Sequence, residues 1–299
     1  TMQYSVMQRA MASGHRLTEV LDVKIDVKDS DKAKPLSSSD DGSIEFQNVT
    51  FGYNPENPVV KGISFSVNSG ETVALVGPTG SGKSSVMALI HRFYEVQAGA
   101  IFVGGHDVRD VTQKSLGRHI AMVLQEPYLF TGTVMENIRY ASNWADDKAV
   151  VDSAKAVGAH DFILALPKGY DTMLTERGSN LSHGQRQLLS FARALVADAK
   201  ILIMDEATAN IDSYTEMQIQ KALQQLLKGR TGIVIAHRLA TIRNADRIIV
   251  LKQGQLVEQG DHDQLLNLGG LYSQLYQHNY ASFDDLPTDL SSKDRKFST

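Results

Sequence analysis

The stretch that most constrains this chain runs from Glu71 to His91, ETVALVGPTGSGKSSVMALIH. It opens on an apolar run, Thr72 to Val76, with the character of a buried parallel strand. A G-x-x-x-x-G-K-[ST] pattern follows at once, with Gly77, Gly82, Lys83 and Ser84 in the fixed positions. Val86, Leu89, Ile90 and Phe93 then recur at helical spacing. A strand, a glycine loop and an amphipathic helix in that order imply an α/β unit that holds an anion in its loop.

The chemistry needs these residue types. Gly77, Gly80 and Gly82 let the backbone curl so that successive N–H groups point inward, where side chains would obstruct them. The helix after Lys83 aims its positive end at the same place. Lys83 can reach β- and γ-phosphates, and the Ser84 hydroxyl can sit on Mg²⁺. Pro78, Thr79, Ser81 and Ser85 complete the loop and its lining. A plain glycine-rich strand-to-helix turn is the structural alternative. The pattern points to a nucleoside triphosphate.

Bulk properties narrow the setting. With 299 residues, 42% of them hydrophobic and 21% charged, the chain can bury one large core or two modest ones. A formal charge of -4 gives no reason to expect a nucleic-acid partner. The absence of cysteine excludes disulfides and Cys-ligated zinc. No apolar run approaches the ~18 residues of a membrane span, and no signal-peptide core is present.

Along the chain, residues 1–22 read as a helix that begins mid-pattern, which predicts a longer parent protein. Residues 23–43, rich in Lys, Asp and Ser, read as a solvated linker without an apolar face. From Ser43, Ile44, Phe46 and Val49, then Ile63, Phe65 and Val67, alternate as short antiparallel strands, and IFVGGHDV reads as another hairpin-like pair. His119 to Leu124 is an apolar strand ending at Gln125. From about 126 to 199 the pattern is helical: ENIRYA, AVVDSAKAVGAHDFILAL and GQRQLLSFARALV. Strands return at Lys200–Met204, Gly232–Ala236 and Arg247–Leu251, and a last helix ends near Tyr280. The fold class is therefore α/β, a P-loop core sheet with an N-terminal antiparallel β subdomain and an inserted helical subdomain. Residues 281–299 read as a disordered tail.

Two further segments carry chemistry. ILIMDE, Ile201 to Glu206, is an apolar strand closed by two acids. Beside a phosphate loop, Asp205 is placed to hold Mg²⁺ and Glu206 to orient or deprotonate the attacking water. Such strand ends are also common structurally. In LSHGQRQLLSFARAL, Ser182 and Gln185 make a capping box, and Leu188, Leu189, Ala192, Leu195 and Val196 form the buried face. Ser182, His183 and Gly184 at that helix start make a second candidate anion site, although an ordinary capped helix looks the same.

Taken together these segments resemble the nucleotide-binding domain of an ABC transporter, over roughly residues 44–280. GPTGSGKS matches its Walker A loop, ILIMD with Glu206 its Walker B strand, and LSHGQ its LSGGQ signature. The resemblance implies that Tyr53 stacks on adenine, although a hairpin aromatic can simply pack locally. It implies that Gln125 reaches Mg²⁺ and the γ-phosphate, and that His237, which could otherwise be a structural strand-end histidine, contacts the γ-phosphate. Asn210, Ile211 and Asp212 fall in the loop that meets an opposing domain. In this family two domains pack head to tail, and each ATP lies between the Walker A loop of one and the signature of the other.

QEPYLFTGTVMENI and TERGSNLSHGQ resemble exporters, with Glu176, Arg177 and Gly178 in the turn that meets the membrane domain. The resemblance implies a transmembrane domain fused N-terminally, with residues 1–22 as the cytoplasmic end of its last helix. It places the chain on the cytoplasmic face of the plasma membrane. His183 replaces the first signature glycine, and Asn210–Ile211 departs from the usual Ser/Ala–Leu. An intact Glu206 beside an altered signature resembles the catalytic-glutamate subunit of bacterial heterodimeric exporters, which favours a heterodimer over a homodimer. The competing readings are a soluble ABC ATPase without a membrane partner and a regulatory module that only senses ATP.

Overall fold

The computed structural model describes residues 2–22, 26–37, 39–140, 142–206, 213–236 and 239–280. The chain opens with α1 (Met2–Leu21), whose described side chains are all exposed. β1 (Ile44–Phe51) and β2 (Val60–Val67) pair antiparallel, with Phe46 opposite Phe65 and their rings stacked at 4.5 Å. β3 (Thr72–Val76) and α2 (Lys83–Ile90) flank the glycine loop. β4 (Ala98–Val103) returns to β1 and carries the short β5 (His106–Asp107), giving a sheet ordered β2-β1-β4-β5.

α3 (Gln113–His119) leads directly into β6 (Ile120–Val123). A mostly helical region follows: β7 (Gly132–Thr133), α4 (Val134–Arg139), α5 (Asp147–Ala156), α6 (His160–Leu164), β8 (Met173–Leu174) and α7 (His183–Val196). β7 and β8 form a small ladder of their own. The single helical run expected over AVVDSAKAVGAHDFILAL is divided, because Gly158 turns the chain at φ +72° between α5 and α6. The remaining elements are β9 (Ile201–Glu206), α8 (Ser213–Leu227), β10 (Thr231–Ala236), α9 (Leu239–Arg243), β11 (Arg247–Lys252), β12 (Gln255–Gly260), α10 (His262–Leu268) and α11 (Leu271–Tyr280).

The core sheet runs β12-β11-β3-β10-β9-β6, parallel throughout except for β12 at its edge. Its central strands β3 and β10 are buried on both faces, so they read as continuous apolar runs. Alternation decides which core each residue enters. Val73, Leu75, Ile201, Ile203, Ile233 and Ile235 face the antiparallel sheet and α2. Ala74, Val76, Leu202, Met204, Val234 and Ala236 face the helical side. Register aligns Leu75 with Ile235 and Ile235 with Asp205. The loop at Gly77 and the acids closing β9 therefore emerge at one edge of the sheet.

Two expectations change. Phe93 does not continue the buried face of α2: the helix stops at Ile90, Arg92 takes a left-handed φ of +53°, and Phe93 turns out to stack on His91. The segment before β1 is not a solvated linker throughout. Leu36 is buried, and residues on either side of it hydrogen-bond to α2's end and to α3. A single leucine carries no periodicity, so the pattern gave no warning.

Candidate nucleotide site

The loop is shaped by close backbone approach. A Cβ at Gly77 would lie 2.2 Å from Leu251 O, so only glycine lets the loop pass the end of β11. Gly82, at φ +102°, is the N-cap of α2. The far side of the loop is fastened to the β11–β12 turn, where Gly254 N–H donates to Ser81 O (3.1 Å). The four leading N–H groups of any α-helix lack intrahelical acceptors, and α2 begins at the loop.

Lys83 Nζ donates to Gly77 O (2.8 Å), Pro78 O (3.0 Å) and Ser81 Oγ (3.4 Å). Burial of this ammonium pushes its pKa down, against the pull of the Asp205 carboxylate. Together with Thr79, Gly80, Gly82, Ser84 and Ser85, the residues Ser81, Lys83, Gln125 and Asp205 line one cleft of about 330 Å³. Gln125 comes from the segment after β6 and Asp205 from the end of β9, so three chain segments distant in sequence converge there.

Tyr53 stands beside this cleft. Its hydroxyl is 3.2 Å from Ser85 Oγ, and its ring meets Phe51 and Tyr94 edge-on at 5.1 and 5.2 Å. It is nevertheless 59% exposed, which leaves ring surface for a base to stack on. Local packing and an open face coexist here. Val59 and Ile235 complete the lining and were not singled out from sequence, where neither carries a chemical signal.

The signature residues lie elsewhere. The Ser182–Gln185 capping box forms as expected: Ser182 Oγ accepts from Gln185 N–H (3.2 Å), and Gln185 Oε1 accepts from Ser182 N–H (2.9 Å). A Cβ on Gly184 would stand 2.3 Å from Thr215 Cγ2, so this glycine has a packing role between α7 and α8. Leu188, Leu189, Ala192 and Val196 are buried, while Leu195 is half-buried. His183 lines a second cleft of about 520 Å³ with Glu126, Tyr128, Arg177 and Arg186. Arg177 and Gly178 turn at φ +58° and +62° in the short helical turn Glu176–Gly178. None of Ser182, His183, Gly184 and Gln185 is among the described residues lining the loop cleft. Glu206 closes β9 opposite Ala236. His237, Asn210, Ile211, Asp212 and residues 281–299 fall outside the described residues.

The family model described as ABC transporter matches residues 60–209, half of the chain. The chain belongs to the ABC transporter family. Relatives of this ABC transporter domain include the ATP-dependent lipid A-core flippase of Syntrophus aciditrophicus (strain SB), 46% identical over 91% of the chain and 45% of the relative. The probable multidrug resistance ABC transporter ATP-binding/permease protein YheH of Bacillus subtilis (strain 168) is 45% identical over 92% of the chain and 40% of that protein. Among solved structures, a bacterial Atm1-family ABC exporter with ATP bound superposes at TM-score 0.83, with 39% identity over 93% of this chain and 49% of that one. The chain thus spans about half the length of the curated relatives it matches. These findings make it an ATP-binding ABC domain of exporter type, with the expected core sheet, antiparallel β subdomain and helical insertion. Among the described residues, no helix is long and apolar enough to cross a membrane.

Proposed function

We propose that this chain is the ATP-hydrolysing motor of an ABC exporter, one of two domains that close head to tail around ATP. The observation that carries the reading is the meeting of the glycine loop, Lys83, Ser84, Gln125 and Asp205 in one cleft. Loop N–H groups and Lys83 orient the β- and γ-phosphates, and Tyr53 stacks on the base. The Ser84 hydroxyl, Gln125 amide oxygen and Asp205 carboxylate are hard oxygen donors, a set that fits Mg²⁺. When bound, that ion neutralises charge developing on the transferred phosphoryl group. Glu206 takes a proton from the water that attacks the γ-phosphorus, and His237 contacts the γ-phosphate. The bond to the bridging oxygen breaks, leaving ADP and phosphate.

Ser182, His183, Gly184 and Gln185 serve the partner's nucleotide, which accords with their absence from the described lining of the chain's own cleft. A transmembrane domain, fused before α1 and meeting the turn Glu176–Gly178, would couple the cycle to export across the cell membrane. The length of the relatives and the ATP-binding/permease description of one of them support this. His183 in place of glycine supports a heterodimer, with Glu206 working against a partner's intact signature. The test is light scattering of Glu206→Gln with Mg-ATP over a range of concentrations, together with its turnover. We expect retained binding and abolished steady-state hydrolysis, and a monomer if the natural partner is a different chain. Turnover by Glu206→Gln equal to a measurable wild-type turnover removes the mechanism, and an ATP-dependent homodimer removes the heterodimer.

A further inference from the structure

Residues 28–37 contain one buried apolar side chain, Leu36, too little to order a charged segment by burial alone. The segment is nonetheless held at five residues. Lys28 O accepts from Arg92 Nη2 (3.0 Å), and Asp29 Oδ1 accepts from Gln113 N–H (2.9 Å) while lying 3.6 Å from Arg92 Nη1. Lys34 bridges to Val111: its N–H donates to Asp110 O (2.9 Å) and its carbonyl accepts from Thr112 N–H (3.1 Å). Leu36 N–H donates to Ser115 Oγ (3.0 Å), and Ser37 O lies 2.9 Å from His119 Nε2.

Arg92 is the centre of this arrangement. It is 4% exposed, and its fork also reaches Glu95 (Nε, 2.9 Å) and Val111 O (Nη1, 3.2 Å). A buried guanidinium satisfied by four partners is rigid, and lysine cannot reproduce the fork. The anchors fall on two elements that lead straight to the nucleotide cleft. α2 begins at Lys83 and ends two residues before Arg92, about 12 Å of helix. α3 runs without a break into β6, which ends two residues before Gln125. Seven residues on the other side of Lys28 lies Leu21, the end of α1.

We infer that residues 28–37 are a strap that braces α2 and α3 behind the nucleotide cleft, with Arg92 as a positioning residue for nucleotide binding. Loosening the strap loosens Arg92 and α3, and through them Lys83 and Gln125. By reciprocity, nucleotide in the cleft stiffens the strap. This inference rests on the reading of the cleft as an ATP site.

The experiment uses the whole chain with a fluorescent ATP analogue and Mg²⁺, and follows amide exchange in the same samples. Asp29→Ala removes the strap's side-chain anchor to Gln113 and Arg92, and Arg92→Lys keeps the charge while losing the fork. Each is expected to weaken analogue binding about fivefold and to speed exchange at residues 83–90 and 120–123. Exchange in β9 at residues 202–204 stays unchanged, as does the cooperative melt of Asp29→Ala. If exchange rises only within 28–37 and affinity stays within twofold for Asp29→Ala, the strap is passive and the inference fails. If the unaltered chain binds no analogue, the ATP reading itself falls, which the variants cannot mimic.

Discussion

Ser182 caps α7 and, in the proposed pair, faces the partner's nucleotide, and substitution by aspartate pulls the two apart. As an N-cap its hydroxyl accepts the Gln185 N–H at 3.2 Å, while Gln185 Oε1 independently holds the Ser182 N–H at 2.9 Å. Alanine removes only the first bond at an exposed helix start, a loss of about 0.5–1 kcal/mol. In a chain of this size that lowers Tm by about 2 °C. Aspartate caps as well as serine, so Ser182→Asp should melt within a degree or so of wild type. Its effect on closure of the pair is different. If Ser182 faces the partner's triphosphate, a carboxylate about 4 Å from one phosphate charge costs on the order of 4 kcal/mol at an effective dielectric near 20. That is about a thousandfold in the closed complex, before counter-ions soften it. The assay is ATP-dependent association of the pair, beside a thermal melt of each variant. Stability should rank Asp with wild type above Ala, whereas ATP-dependent association should rank wild type above Ala above Asp. A Ser182→Asp chain that melts like wild type and closes around ATP within threefold of wild-type affinity would refute the head-to-tail placement of α7.

Gly184→Ala should cost about 1–3 kcal/mol by overpacking, because its methyl would meet Thr215 Cγ2 at 2.3 Å. Adding Thr215→Ser, which deletes that methyl, should restore the melting temperature; a double variant as unstable as the single would disprove the packing role. Glu71 joins the start of β3 to β11 through a two-pronged pair with Arg247, at 2.8 Å (Oε1–Nε) and 3.2 Å (Oε2–Nη2). Burial works to raise its pKa, but the Arg247 guanidinium and the Asn68 N–H outweigh it and hold the carboxyl below its ordinary value. With the folded value depressed, the pair's stability is present above the unfolded pKa of about 4.3 and is lost as pH falls through the folded value. Glu71→Gln should therefore cost about 1–2 kcal/mol at pH 7 in urea unfolding, and that gap should close in acid. A gap that is constant with pH would show that the pair is not responsible.

What the sequence revealed follows from how local each signal is. The glycine loop was legible because strand, turn chemistry and helix sit within twenty-one residues, and each element forms where the pattern put it. The capping box at Ser182 was legible for the same reason. Gly184 was only half read: the family resemblance marked it as a signature residue, yet the closeness of Thr215, thirty-one positions away, has no local trace. Phe93 fits the helical period of α2 perfectly well, but nothing in that period shows that Arg92 will be drawn into a buried fork and turn the chain. β12 escaped notice because, as an antiparallel edge strand, it buries no side chain fully and presents no apolar run.

The same distinction explains why the strap was read as a linker. Its order comes from backbone donors and acceptors and from one arginine sixty-four residues away, and composition reports neither. A charged segment stays disordered when it must order itself by apolar burial. It need not when a neighbouring element offers unpaired N–H and C=O groups, as the chain at Asp110–Thr112 does for Lys34. The cleft's side chains gather at the carboxyl edge of the core strands. The strap grips the far end of α2 and the helix that feeds β6. Because α2 and β6 span the core between grip and cleft, a loosening of the strap can reach the phosphates without any contact between them.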